Sequence, residues 1–84
     1  MNYHVRLSER GRADVLDLRR SSACILLSWL TEHLEDCKDP RAWGESLAGG
    51  AGRWKYKVGR YRLLAEIGAK TIIILAVTDG QEKL

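Results

Sequence analysis

Lys55, Lys57 and Arg62 stand in two short stretches, RWKYKV and YRLLAEI, separated by Gly59-Arg60. Both stretches alternate polar with apolar residues, the period of strands half-buried on one face. A two-residue loop with Gly first suits a type II′ hairpin. With that loop Val58 faces Tyr61, Lys57 faces Arg62, Tyr56 faces Leu63, Lys55 faces Leu64, Trp54 faces Ala65 and Arg53 faces Glu66. One side of the ribbon then carries Trp54, Tyr56, Val58, Tyr61, Leu63 and Ala65. The other carries Arg53, Lys55, Lys57 and Arg62. Like charges directly across a strand pair, as at Lys57 and Arg62, cost a few tenths to about 1 kcal/mol. A site built to receive an anion accounts for such a pair; so do two long side chains bending into screening solvent. Cations on an aromatic-rich hairpin suit a phosphate.

The surrounding elements must hold this ribbon. Tyr3, Val5 and Leu7 alternate with polar residues, predicting a first strand. Ser8 is a good N-cap for a helix containing Ala13, Val15, Leu16 and Leu18, and Ser21-Ser22 can cap a second. Leu26, Leu27, Leu30, Leu34 and Cys37 recur at three- and four-residue steps, an amphipathic helix over 23–37 that Asp39-Pro40 should stop. An aperiodic stretch, 41–52, precedes three strands over 53–58, 61–67 and 70–77, the last two joined by Gly68-Ala69. The order β-α-α-β-β-β predicts an α+β fold, two helices packed on a small twisted antiparallel sheet. In the last strand Ile72, Ile74 and Ala76 face one way, and Ile73, Leu75 and Val77 the other. A strand apolar on both sides is covered on both sides. Two helices share one face, so Ile73, Leu75 and Val77 are expected to meet a loop or a partner.

The chain has 84 residues, 45% hydrophobic and 30% charged, which fits one globular domain over 1–84 and excludes a disordered one. A net charge of +3 is compatible with a nucleic-acid partner. Two cysteines are too few for a disulfide scaffold, the N-terminus turns polar before an export signal develops, and 72–77 is too short to span a bilayer. A cytoplasmic protein with no membrane partner is expected. His4, Cys24, His33 and Cys37 lack the paired spacing of zinc ligands, so neither a metal nor a small-molecule cofactor is expected. P-loop and serine-hydrolase signatures are absent. Trp29 and Trp43 read as core or loop anchors ahead of base-stacking platforms, Trp54 as core, and His4 and Arg6 as solvent-facing strand residues ahead of an extension of the cationic strip.

The segments YHVRLS, DPRAWGESLAGGAGRWKYKVGRYRLLAEI and TIIILAVTDG together resemble the RelE/ParE superfamily of toxins from type II toxin–antitoxin modules, over nearly the whole chain. The resemblance implies the RelE-like fold and a toxin restrained by a cognate antitoxin, here expected on Ile73, Leu75 and Val77. RelE-type members cut messenger RNA in the ribosomal A site with the ribose 2′-hydroxyl as nucleophile. ParE-type members poison DNA gyrase. The family's basic positions match Lys55, Lys57 and Arg62, which would stabilise charge building on phosphorus, with one crowded lysine neutral and acting as base. Arg53, Arg60 and Lys83 would extend the RNA-binding surface.

The C-terminus departs from the family pattern. Members continue from the last strand into a segment with an Arg and then a Tyr, where this chain reads TDGQEKL. The expected Arg falls at Gly80 or Gln81, and the expected Tyr at Leu84. The resemblance therefore implies a ribosome-dependent messenger-RNA endonuclease, weakened by this ending. The alternative is a non-enzymatic gyrase inhibitor, or a degenerate toxin that mainly binds its antitoxin.

Overall fold

The computed structural model describes residues 2–47 and 52–79. Alternation at Tyr3, Val5 and Leu7 builds β1 (His4–Leu7); Ser8 then caps α1 (Glu9–Leu16), its Oγ accepting from the Gly11 N–H. Helix α2 (Arg20–Trp29) starts ahead of the Ser21-Ser22 expected to cap it, with Arg19 at the cap and no side-chain bond there. Ser22 is used elsewhere, accepting from the Tyr61 hydroxyl at 3.1 Å.

The apolar stripe continues through one wide π-helical turn, Leu30–Leu34, and the helix ends before Asp39-Pro40 is reached. Strand β1 sets that end. Asp36, at φ 65°, donates its N–H to the Tyr3 carbonyl at 2.7 Å, and the Glu35 carboxylate accepts from the Val5 N–H and meets His4 Nδ1. These bonds to Glu35, led by the one from His4, hold its carboxyl below the usual range. Asp39 and Pro40 instead open a short 3₁₀ turn, Pro40–Ala42, with Asp39 accepting from the Arg41 N–H.

A short strand β2 (Glu45–Ser46) precedes β3 (Arg53–Val58), β4 (Tyr61–Ile67) and β5 (Thr71–Asp79), giving the sheet order β1-β5-β4-β3-β2. The fold is α+β as expected, but the sheet is mixed, because β1 lies parallel to β5. A parallel pair needs a long crossover, which the helices and the β3–β4 hairpin supply. Flanked by β1 and β4, β5 sits inside the sheet, which explains its continuous apolar run.

All six facing pairs expected for the β3–β4 hairpin are present, with Gly59 at φ 61° in the turn. Tyr56, Val58, Leu63 and Ala65 are buried with Leu26, Leu30 and Leu34 of the helical layer, and Trp54 and Tyr61 pack at the margin. The β4–β5 turn differs from expectation by one residue. Ile67 pairs with Ile72, and Gly68 N–H bonds the Thr71 carbonyl, so Ala69-Lys70 forms the tip.

A bulge changes the faces of β5. Leu64 pairs with Ala76 and Ala65 with Ile74, leaving Leu75 as the extra residue. Past it the phase reverses: Val77 turns into the core beside Ile72 and Ile74, 8% exposed, and Ala76 turns away. Helix α1 secures the bulge. Asp14 accepts from the Val77 N–H at 2.9 Å, and the Ser8 N–H donates to the Ile74 carbonyl at 3.0 Å. Gly11 lets α1 approach, since a Cβ there would stand 2.3 Å from the Ile74 oxygen. Asp14→Ala strands a half-buried N–H and is expected to lower stability by about 1–3 kcal/mol, with Asp14→Asn losing less. Urea denaturation checks this; an unchanged midpoint for the Ala variant contradicts the role given to Asp14.

Candidate functional site

The two-residue turn at Gly59-Arg60 places Lys57 directly across from Arg62, both exposed, on the sheet face opposite Tyr56 and Leu63. Strand β2 brings an acid to them. Glu45 pairs with Lys55, and its carboxylate lies 3.0 Å from Lys55 Nζ. That hydrogen bond and the Lys55 charge hold the Glu45 carboxyl below the usual range, with smaller contributions from Lys57 and Arg62. Lys55, Lys57, Arg62 and Glu45 therefore form one electrostatic group. The crowding expected among the cations is relieved by an acid that no sequence pattern assigned to them.

Beside this group opens a cleft of about 360 Å³, lined by Trp29, Trp43, Gly44, Glu45, Lys55 and Lys57. Gly44 makes its floor possible. It sits at φ 74°, and a Cβ would fall 2.2 Å from the Lys55 carbonyl oxygen. Trp29 stacks on His33 with centroids 4.7 Å apart and tilts against Tyr56 at 5.7 Å. Trp43 meets Trp29 and His33 edge to face, and its carbonyl accepts from Trp54 Nε1. Tyr56 is fully buried and donates to the Pro40 carbonyl at 2.8 Å, with burial pushing its phenol strongly up in pKa. Tyr56 is thus structural, and the more exposed aromatic residue of the cleft is Trp43, at 44%.

The outlying cations have other partners. Arg53 lies 3.8 Å from Glu66 across the β3–β4 pair. Arg60 grips Asp79 with two nitrogens and lies over the Tyr61 ring. Asp79 thereby has a role at the start of the atypical ending. Lys83, with the rest of 80–84, lies outside the described residues.

The partner surface expected at Ile73, Leu75 and Val77 needs correction. The bulge buries Val77 in the core, leaving Ile73 and Leu75 half-buried. Among the described residues the large apolar side chains open to solvent are Leu16 on α1, Ile25 and Leu27 on α2, and Trp43 at the cleft. Among the described residues no cluster of His, Cys, Asp and Glu could hold a metal ion, and no helix is long and apolar enough to cross a membrane.

Glu45, Gly44 and Trp43 are the site residues that sequence reasoning missed. They sit in the aperiodic stretch after Pro40, where neither strand nor helix periodicity exposes a face. The available signal was Gly followed by Glu just ahead of a basic strand, which turns an acid toward those bases.

Among curated proteins none matches this chain. Solved structures do. The RelBE2 toxin–antitoxin complex from Mycobacterium tuberculosis is similar at 27% identity and a TM-score of 0.82, over 94% of this chain and 92% of that one. The intact RelBE complex of E. coli is similar at 23% identity and a TM-score of 0.71, over 92% and 95%. The archaeal RelE–RelB complex from Pyrococcus horikoshii shares 19% identity at a TM-score of 0.73, over 99% and 100%. The sequence model for the ParE toxin of type II toxin–antitoxin systems, parDE, matches residues 5–84. With nearly the whole chain matched and the fold shared with toxins of the RelE type, this protein belongs to the ParE toxin family, within the RelE/ParE superfamily of type II toxins.

Proposed function

We propose that this toxin cleaves messenger RNA on the ribosome, in the cytoplasm, until a cognate antitoxin binds it. The observation that carries the reading is the juxtaposition of Lys57 with Arg62 on a rigid hairpin, beside Lys55 and Glu45. Cleavage begins when the ribose 2′-oxygen attacks the adjacent phosphorus and its proton leaves. Glu45, a carboxylate that lines the cleft beside these cations, accepts that proton. The reading thus moves the base from a crowded lysine to Glu45. Negative charge then builds on the phosphoryl oxygens, where Arg62 offers its planar fork and Lys55 a point charge. Lys57 gives a proton to the departing 5′-oxygen, leaving a 2′,3′-cyclic phosphate and a 5′-hydroxyl. Arg53, Arg60 and Lys83 are kept as outer RNA contacts, with Arg60 giving up Asp79 to do so.

Glu45→Gln removes the acceptor and keeps the shape. It is expected to lower the cleavage rate on translating ribosomes about 100-fold. A variant as fast as the parent would reduce Glu45 to a counter-ion of Lys55. For the antitoxin, the structures of similar toxins in complex with theirs support a protein partner. We place it on Ile73 and Leu75 and across the exposed Ile25 and Leu27 of α2.

A second reading, gyrase inhibition without catalysis, is supported by the ParE description of the matching family. A supercoiling assay with purified gyrase separates the two. The nuclease reading expects undiminished supercoiling.

A further inference from the structure

Phosphate chemistry at Lys55, Lys57, Arg62 and Glu45 leaves the aromatic wall of the cleft unused. We propose that Trp43 is a base-stacking residue, holding the nucleobase of the nucleotide whose phosphate lies against Lys55 and Lys57. The proposal rests on the RNA-directed reading of the same site and names how its substrate is gripped.

Trp43 does not have the placement of a core anchor. The residue is 44% exposed, whereas Tyr56, which lies on the same aromatic cluster, is fully buried. Its position is nevertheless fixed from three sides. The backbone carbonyl accepts from Trp54 Nε1, and the ring meets His33 at 4.9 Å and 85° and Trp29 at 6.5 Å and 75°. Gly44 follows at φ 74° with no space toward the Lys55 carbonyl, so the backbone holds the indole at the cleft. A fixed, partly exposed Trp on a cleft that two lysines also line is the combination that single-stranded nucleic acids use: a ring for the base and cations for the backbone. A cleft of about 360 Å³ stands near the low end of small-molecule sites, roughly 300–1,000 Å³, the scale of one nucleotide. Stacking tolerates any base, because each has a π face. Trp43 therefore adds grip and position without reading sequence.

The test uses the full chain and a 5′-labelled 2′-O-methyl pentanucleotide, whose blocked 2′-oxygens prevent cleavage, alongside the same oligonucleotide with an abasic centre. Anisotropy reads both affinities. The parent is expected to bind the base-bearing probe about tenfold more tightly than the abasic one. Trp43→Ala should erase that difference and leave the abasic affinity unchanged, Trp43→Phe should keep most of it, and Lys57→Ala should weaken both probes alike. Equal affinities in the parent, no binding of either probe, or a Trp43→Ala variant that weakens both alike would overturn the proposal. Cleavage on ribosomes separates the two levels. Intact cleavage with no base-dependent binding sinks the stacking role alone. Trp43-dependent binding in a protein that leaves messages whole keeps the stacking role and sinks the nuclease.

Discussion

Arg62→Ala is expected to lose growth arrest, with message cleavage falling about 100- to 1,000-fold, the usual cost of removing one preorganised donor to a transition-state oxyanion. Arg62 is exposed on β4 and pairs across the sheet with Thr78 and Lys57, so the core is untouched by its truncation. Folding and antitoxin binding should persist. Removing it also relieves the repulsion with Lys57, so the variant should be as stable as the parent or slightly more so. That combination, stability kept and activity lost, distinguishes a functional cation from a solvated one. A variant that still arrests growth would return the Lys57–Arg62 pair to the bland interpretation of two side chains in solvent. Arg62→Lys should recover little, since a lysine cannot reproduce the two-pronged grip.

Leu63→Ala is expected to cost about 2–5 kcal/mol, the range for a cavity left by a truncated core leucine. Leu63 is fully buried on β4, between Tyr56 of β3 and Val77 of β5, and the helices close over it. Small domains have about 5–15 kcal/mol in total, so this one change removes a large share. Urea denaturation with purified protein measures it. A midpoint within error of the parent would mean that the helices do not cover this face of the hairpin.

The hairpin was legible because a two-residue turn fixes who faces whom, and period-2 alternation then decides which side is buried. Every pair from Arg53–Glu66 to Val58–Tyr61 follows from those two rules. Local rules fail where distant residues intervene. The bulge at Leu75 depends on Ser8, Gly11 and Asp14 of the first helix, more than sixty residues away in sequence, so alternation alone put Val77 on the wrong side. The early helix end depends on Asp36 and Glu35 bonding β1; the Leu30–Leu34 spacing is the same whether the turn is α or π. Parallel pairing of β1 with β5 leaves no mark on either strand's alternation. The cations of the site were visible as a charge pattern, whereas Glu45 was not, because a two-residue strand has no periodicity to detect. The engagement of Arg60 with Asp79 follows from β5 extending past its apolar run.

On the proposed function, Lys55, Lys57, Arg62 and Glu45 together cleave RNA. The most direct test is primer extension on a translating message after induction of the toxin, with the Arg62→Ala variant in parallel. New 5′ ends within codons in the parent, absent in the variant, are expected. Messages left whole during growth arrest by the parent, with gyrase supercoiling inhibited instead, would rule out an RNA-cleaving role for these four residues.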